Sequence, residues 1–167
     1  MSTPLICYVL VGIPGSGKST LAKLLSDRRP NYQIVSTDTI REQLYGDASI
    51  QGNWEAIEEK VFSQIHQAIV SGRPVIYDAT NCQRTHRLDL LQKLACYKKV
   101  YWVALHLQTP LETCLAWNKK RSRQVPEAVI IAMYQSLKDF PPLPEEGFAT
   151  IYPVSLTNTT VRLSTPD

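Results

Sequence analysis

The sequence has little of what builds a stapled, metal-centred or membrane protein. Its four cysteines, Cys7, Cys82, Cys96 and Cys114, form no C-x-x-C pair. That spacing argues against a disulfide framework or a thiolate zinc site and reads them as small apolar core residues. The three histidines, His66, His86 and His106, show no ligand spacing either. The longest apolar runs, Leu5–Ile13 and Val100–Leu107, fall far short of the roughly 20 residues of a membrane helix. Met1–Pro4 places no cation before Leu5, so no secretory leader is expected. These features predict a cytoplasmic protein with no membrane partner. Low complexity and internal repeats are lacking too, and 44% hydrophobic against 20% charged residues over 167 positions suits one ordinary domain, spanning 1–167, with room for a core.

Charge of one sign is also scarce overall, at +3 net, yet it is unevenly spread. Asp38–Lys60 holds six acids and two bases, whereas Arg84–Lys99 holds five bases and one acid. Lys119, Lys120, Arg121 and Arg123 then follow with no acid among them. Such runs are ordinarily solvated faces, so their meaning depends on the elements that carry them.

Apolar periodicity predicts strands at Leu5–Val11, Gln33–Ser36, Pro74–Asp78, Val100–Leu107 and Ala149–Val154. Helices are predicted at Lys18–Arg28, on a face of Leu21, Leu24 and Leu25, and at Thr37–Tyr45 and Trp54–Val70. A further helix is marked by Leu88, Leu91, Leu94 and Ala95. Pro110 and Pro126 open two more, and the Gly72–Pro74 break closes the long one. Strands alternating with helices call for an α/β domain with an about five-stranded, mostly parallel sheet covered on both faces. The polar tail, 157–167, is expected to be loosely held.

One motif carries chemistry with high specificity. Gly12-Ile13-Pro14-Gly15-Ser16-Gly17-Lys18-Ser19 fits G-x-x-x-x-G-K-[ST], lying between a strand and a helix as that motif requires. Glycines let successive backbone N–H groups converge on a polyphosphate, and the helix N-terminus adds its positive end. The expected fold is therefore a P-loop NTPase domain; the motif alone does not separate a kinase from a GTPase or a motor, but with no N-K-x-D guanine motif and no second lobe, size favours the nucleotide-kinase type. ATP would sit on Gly12, Gly15, Ser16, Gly17, Lys18, Ser19 and Thr20, with Lys18 on the β- and γ-phosphates and Ser19 on Mg²⁺.

The acceptor side is read from weaker signals. Asp38 stands just past a strand end, where ligands bind in open α/β sheets, and Arg41 shares its helix face. The pair fits a base and a phosphate-binding arginine, and fits equally a capping aspartate with an exposed arginine. Asp78 ends an apolar strand and is expected to hold Mg²⁺ beside Ser19. Asn81, Arg84 and Arg87 open the next helix and are candidates for acceptor binding. The cations of 117–126, lying between two helices, suggest a lid that brings Arg121 and Arg123 over the nucleotide. Trp54 and Tyr45 read as core or as a stacking platform with equal force.

The order G-x-P-G-S-G-K-S-T, S-x-D-x-x-R, D-x-T-N, then a basic lid followed by Val125-Pro126, resembles the 5′-hydroxyl polynucleotide kinase domain of phage and its bacterial relatives, over Leu5 to Phe148. The resemblance implies Asp38 as general base on the acceptor 5′-hydroxyl and Arg41 on the acceptor and scissile phosphates. It implies Lys18 and Ser19 as the P-loop pair, Asp78 as the acid beside them and Arg121 as the lid arginine. A nucleic-acid 5′ end is the implied partner. The lid is slightly shorter than in the phage enzyme, and the chain ends where that enzyme continues into a phosphatase, so no 3′-end repair is expected. Similar motifs occur in kinases of small metabolites and nucleotide-sugars, which leaves a small-molecule phosphotransferase open. So does a nucleotide-dependent binding module without catalysis.

Overall fold

A computed structural model describes residues 3–157 and 160–163. Among these, six strands form one sheet: β1 Leu5–Val11, β2 Gln33–Ser36, β3 Val75–Asp78, β4 Val100–Leu107, β5 Thr150–Thr157 and β6 Thr160–Leu163. Their order is β2-β3-β1-β4-β5-β6, with β2 to β5 and β1 all parallel and β6 antiparallel to β5. The helices are α1 Lys18–Arg28, α2 Thr37–Tyr45, α3 Trp54–Val70, α4 Arg84–Leu94, α5 Leu111–Lys120 and α6 Glu127–Asp139, with a 3₁₀ turn at Pro144–Glu146.

Alternation along β1 sends its residues into two cores. Cys7, Val9 and Val11 enter a cluster with Ile57, Val61 and Ile65 of α3 and Leu90, Leu91 and Leu94 of α4. Leu10 enters a second cluster with Leu21 and Ala22 of α1. A central strand buried on both faces explains why its sequence is apolar throughout rather than alternating. Val9, Leu10 and Val11 are fully buried, each stabilising the fold by on the order of 2 kcal/mol through area removed from water.

The expected five parallel strands and two covered faces are present, with three differences. The sheet continues past the expected end: β5 runs to Thr157, and Thr160–Leu163 pairs back on it. That part of the tail is strand because β5 offers an open edge; residues 158, 159 and 164–167 lie outside those described. In α1, Leu24 is exposed and Ala22 takes the buried position beside Leu21. In α4, Leu88 and Ala95 are exposed, and the buried face is Arg87, Leu90, Leu91 and Leu94. The helix is turned toward Arg87 because Glu146 of the 3₁₀ turn waits there as its partner. Of the cysteines, Cys7, Cys82 and Cys114 are buried and Cys96 is exposed.

Candidate active site

The 12–17 loop leaves β1 at the carboxyl edge of the sheet, held by Gly12 N–H donating to the Thr80 carbonyl at 2.9 Å. Gly15 adopts φ +79°, and a Cβ there would stand 2.5 Å from the Cys114 carbonyl oxygen. Gly17 adopts φ +96° and its Cβ would strike the Leu156 side chain. Both positions demand glycine by conformation, and Gly15 also by space, because its neighbour is backbone whereas the Leu156 side-chain tip beside Gly17 is able to move. The loop is also clamped from β4's far side: Thr109 Oγ1 donates to the Ser16 carbonyl at 2.8 Å. Beyond it, α1 starts at Gly17 with no side-chain cap and no acid in its first turn, so its positive end remains unneutralised.

At the mouth of the loop Lys18 Nζ donates to the Ile13 carbonyl at 2.9 Å. Desolvation pushes its pKa down, opposed by the nearby Asp78 carboxylate. Asp78, at the end of β3, accepts from Ser19 Oγ at 2.9 Å. Burial pushes the Asp78 carboxyl up, against the pull of Lys18 and the Ser19 hydrogen bond. A carboxylate short of solvation beside a hydroxyl is a donor set that a hard cation fits, because such a cation needs few protein oxygens when phosphates and water complete its shell. No cluster of three or more His, Cys, Asp or Glu residues able to cage a metal occurs among the described residues.

Asp38 sits one residue into α2, next to the carboxyl end of β2. The capping role falls to Ser36, whose hydroxyl accepts from Thr39 N–H at 3.3 Å, so Asp38 is not spent as a cap. Its Oδ1 accepts from Arg41 Nη1 at 3.3 Å and its Oδ2 from Arg123 Nη2 at 3.0 Å. With the Asp38 side chain 44% exposed, each pair stabilises the fold by about 1 kcal/mol at most; they orient rather than support. Among the described residues, Arg41 Nε and Arg123 Nη1 are buried without a hydrogen-bond partner. Two guanidinium donors beside one carboxylate are thus unsatisfied, and being closed off they would meet an anionic group only with a shift of the side chains.

The segment joining α5 to α6 is shorter than the sequence suggests. Helix α5 continues through Lys120, leaving Arg121–Pro126 as the connection. Asn118 clips it: its amide donates to the Val125 carbonyl at 2.8 Å and its oxygen accepts from Val125 N–H at 2.9 Å. The two arginines part company there. Arg123, expected over the nucleotide, reaches Asp38. Arg121 is exposed, lines the central cavity, and is close enough to weigh on the ionisation of both Lys18 and Asp78.

Lys18, Ser19, Asp38, Arg41, Asp78, Arg121 and Arg123 open into one cavity of about 1130 Å³, which also takes in Trp54, Phe62, His86 and Trp117, whereas Gly12 and Ser16 do not line it. Of the three residues expected to bind acceptor around the start of α4, only Asn81 lines it. Arg87 is fully buried. It makes five hydrogen bonds, two to Glu146 and one each to the Asn81, Cys82 and Phe140 carbonyls, which occupies every N–H a guanidinium has. It is a core strut, and its assignment to substrate is corrected. Arg84 turns toward the same Glu146, at 3.7 Å, and does not line the cavity. Asn81 borders it, but adopts φ +50° and donates its amide to the Leu10 and Ala79 carbonyls, shaping the loop. Thr109 and the Asp38–Arg123 contact escaped sequence reasoning, since each depends on segments distant in the chain; Asn118 escaped it although its partner Val125 is only seven positions away. Arg123 alone left a signal, as part of the cation run.

Comparison with known proteins adds to this geometry. A family model described as an AAA domain, AAA_33, matches residues 8–140. The chain is 30% identical over 131 residues to an L-seryl-tRNA(Sec) kinase of Methanococcus maripaludis, covering 76% of this chain and 50% of that protein. It is 32% identical over 132 residues to a protein of Autographa californica nuclear polyhedrosis virus named for a bifunctional polynucleotide kinase/RNA ligase, covering 71% of this chain and 18% of that protein. It therefore spans half or less of the length of these relatives. Among solved structures, the Pnkp1/Rnl/Hen1 RNA repair complex contains a chain of the same fold, with a TM-score of 0.64 at 22% identity over 83% of this chain and 46% of that one.

Proposed function

The chain belongs to the AAA_33 family of AAA domains, and from that premise we propose that it is an ATP- and Mg²⁺-dependent kinase that phosphorylates a hydroxyl group, the 5′-hydroxyl of a polynucleotide. The observation that carries the reading is Asp38, held between Arg41 and Arg123 in the cavity that also contains Lys18, Ser19 and Asp78. The name of the viral relative, a polynucleotide kinase/RNA ligase, supports a nucleic-acid acceptor, and that of the L-seryl-tRNA(Sec) kinase an acceptor that carries nucleic acid. The proposal includes a cytoplasmic setting; among the described residues no helix is long and apolar enough to cross a membrane.

In this reading the Gly12–Gly17 amides, Lys18 and Thr20 hold the β- and γ-phosphates. Ser19 and Asp78 would hold a Mg²⁺ ion, whose contribution is to neutralise charge on the phosphate oxygens. Asp38 retains acceptor lone pairs beyond its two arginine contacts, and takes the proton of the acceptor hydroxyl as that oxygen bonds to the γ-phosphorus. The bond from phosphorus to the β,γ-bridging oxygen breaks, and ADP leaves with its electron pair. With a shift of their side chains, Arg41 Nε and Arg123 Nη1 receive the anionic oxygens that approach Asp38, and Arg121 stabilises charge on the transferring group.

A small hydroxylated acceptor is a second reading, favoured by the carboxylates of Glu58 and Asp89 on the cavity wall. The test is transfer of labelled γ-phosphate from ATP to a short 5′-hydroxyl oligonucleotide, with a 5′-phosphorylated strand and a chelator as controls. Label on the hydroxyl strand alone, lost with chelator, is expected. No label on either strand while ATP still binds would overturn the nucleic-acid acceptor. Transfer that does not weaken with salt would favour the small acceptor, since phosphate contacts make nucleic-acid affinity strongly salt-dependent.

A further inference from the structure

The acceptor end of the cavity contains an aromatic surface that the transfer chemistry does not use. Trp54, the first residue of α3, is 46% exposed although it borders the cavity. A tryptophan left half in water at a cavity wall, rather than turned into the nearby core, forgoes a large burial gain. His86 of α4 stacks against it with ring planes 14° apart and centroids 6.3 Å apart, so a ring from an element distant in sequence fixes the orientation of the half-exposed tryptophan. Tyr45, near the start of α3, packs against the core and its hydroxyl accepts from Asn53 N–H at 2.9 Å. It helps set the start of α3 rather than offering a free ring.

The charges around this face select what can lie on it. Glu58 and Asp89 line the same wall, both held by Lys93, at 2.8 and 2.9 Å. Two carboxylates neutralised by a single ammonium leave net negative charge, which turns phosphate away. The same cavity also holds the cations Lys18, Arg41, Arg121 and Arg123 and the amides of Gln51 and Gln83. A flat, uncharged group carrying N–H donors suits the aromatic and acidic residues, while phosphate suits the cations.

We propose that Trp54 and His86 form a stacking platform for the terminal base of the acceptor strand, with Glu58 and Asp89 placed to accept from its exocyclic amino groups. This rests on the nucleic-acid reading above and deepens it: the acceptor is recognised as a nucleoside, by the π-face that every base has, not only as a hydroxyl. The terminal base, stacked on α3 and α4, would direct its 5′-hydroxyl toward Asp38.

The test compares two acceptors, a 5′-hydroxyl oligonucleotide with an ordinary terminal base and one whose terminal residue is abasic. Wild type is expected to show a KM for the abasic strand raised about tenfold or more, the scale of base–aromatic stacking. Trp54→Ala and His86→Ala should raise KM for the ordinary strand, Trp54→Phe should restore much of it, and neither alanine variant should matter on the abasic strand. A merely structural role for Trp54 would weaken both strands alike, and circular dichroism with ATP affinity checks folding. Equal use of both strands by wild type would overturn the platform while leaving a 5′-kinase intact. Failure of wild type to label either strand, while it phosphorylates a small hydroxylated compound, would overturn the acceptor reading itself and the platform with it.

Discussion

Asp38 and Arg123 meet at 3.0 Å across 85 positions of sequence, joining the start of α2 to the connection between α5 and α6. The contact brings the base candidate and the basic segment to one point above the P-loop. It also divides the labour of the cations, because Arg121 is left on the side of Lys18 and Asp78.

Replacing Asp38 by asparagine removes the proton acceptor while keeping size and polarity. Transfer should fall about 10²- to 10⁴-fold, the range of general-base catalysis, with ATP affinity unchanged within about twofold. Single-turnover transfer and ATP titration on the same preparation measure the two quantities. Undiminished transfer would remove Asp38 from the chemistry and leave the proton to another group.

The two arginines should separate kinetically. Arg121→Ala is expected to lower kcat by about 10²-fold or more, as loss of a transition-state donor does. Arg123→Ala should raise the acceptor KM more than it lowers kcat, since Arg123 is tied to Asp38 and not to the phosphate loop. Reversed effects in steady-state kinetics would exchange their roles.

Arg87 and Glu146 form a fully buried ion pair, with contacts of 3.0 and 2.8 Å. Arg87→Met should cost about 3–5 kcal/mol, because it leaves a carboxylate buried without its partner. Arg87→Met combined with Glu146→Leu should recover a large part of that loss. Urea unfolding of the two variants gives the comparison, and a single variant as stable as wild type would contradict the strut role.

Gly15→Ala should abolish nucleotide binding and destabilise the loop, because the new methyl meets the Cys114 carbonyl at 2.5 Å. Gly72→Ala is the matched control: its φ is +71°, yet nothing lies within 4 Å of the added carbon. It should cost only the about 1–2 kcal/mol of the left-handed conformation. Equal losses in thermal melts and ATP titration would show that conformation, not the close approach, sets the cost at Gly15.

His106 on β4 is pushed down to about 4 from its ordinary 6.5, chiefly by desolvation and then by the Arg87 charge. Its folded pKa is thus below the unfolded one. Stability from this group is complete above about 6.5 and is lost as pH falls toward about 4, where the unfolded chain binds a proton that the native state does not. The loss should reach about 3 kcal/mol, and His106→Gln should flatten that slope in urea unfolding between pH 7 and 4.5.

Sequence alone determined the central strand, the phosphate loop and the order of elements that build an α/β sheet. Those features are local. The stretch Leu5–Val11 is apolar throughout, and the glycines with Lys18 and Ser19 stand at fixed spacing, so periodicity and turn chemistry identify them before any contact forms. The same local reading placed Asp38 and Asp78 at strand ends, because strand boundaries are written in composition.

The tertiary structure decided what could not be local. A basic side chain at the start of a helix is equally suited to solvent, to phosphate or to a buried acid. The sequence offers Arg84 and Arg87 as acceptor-binding residues, but Glu146, some sixty positions away in sequence and adjacent in space, draws both toward it. Trp54 stood level between core and platform until α4 placed His86 against it. The edge of β5 was free to take Thr160–Leu163 as a sixth strand. In each case the deciding partner comes from a distant part of the chain, and the energy that selects one conformation appears only when the two segments are brought together.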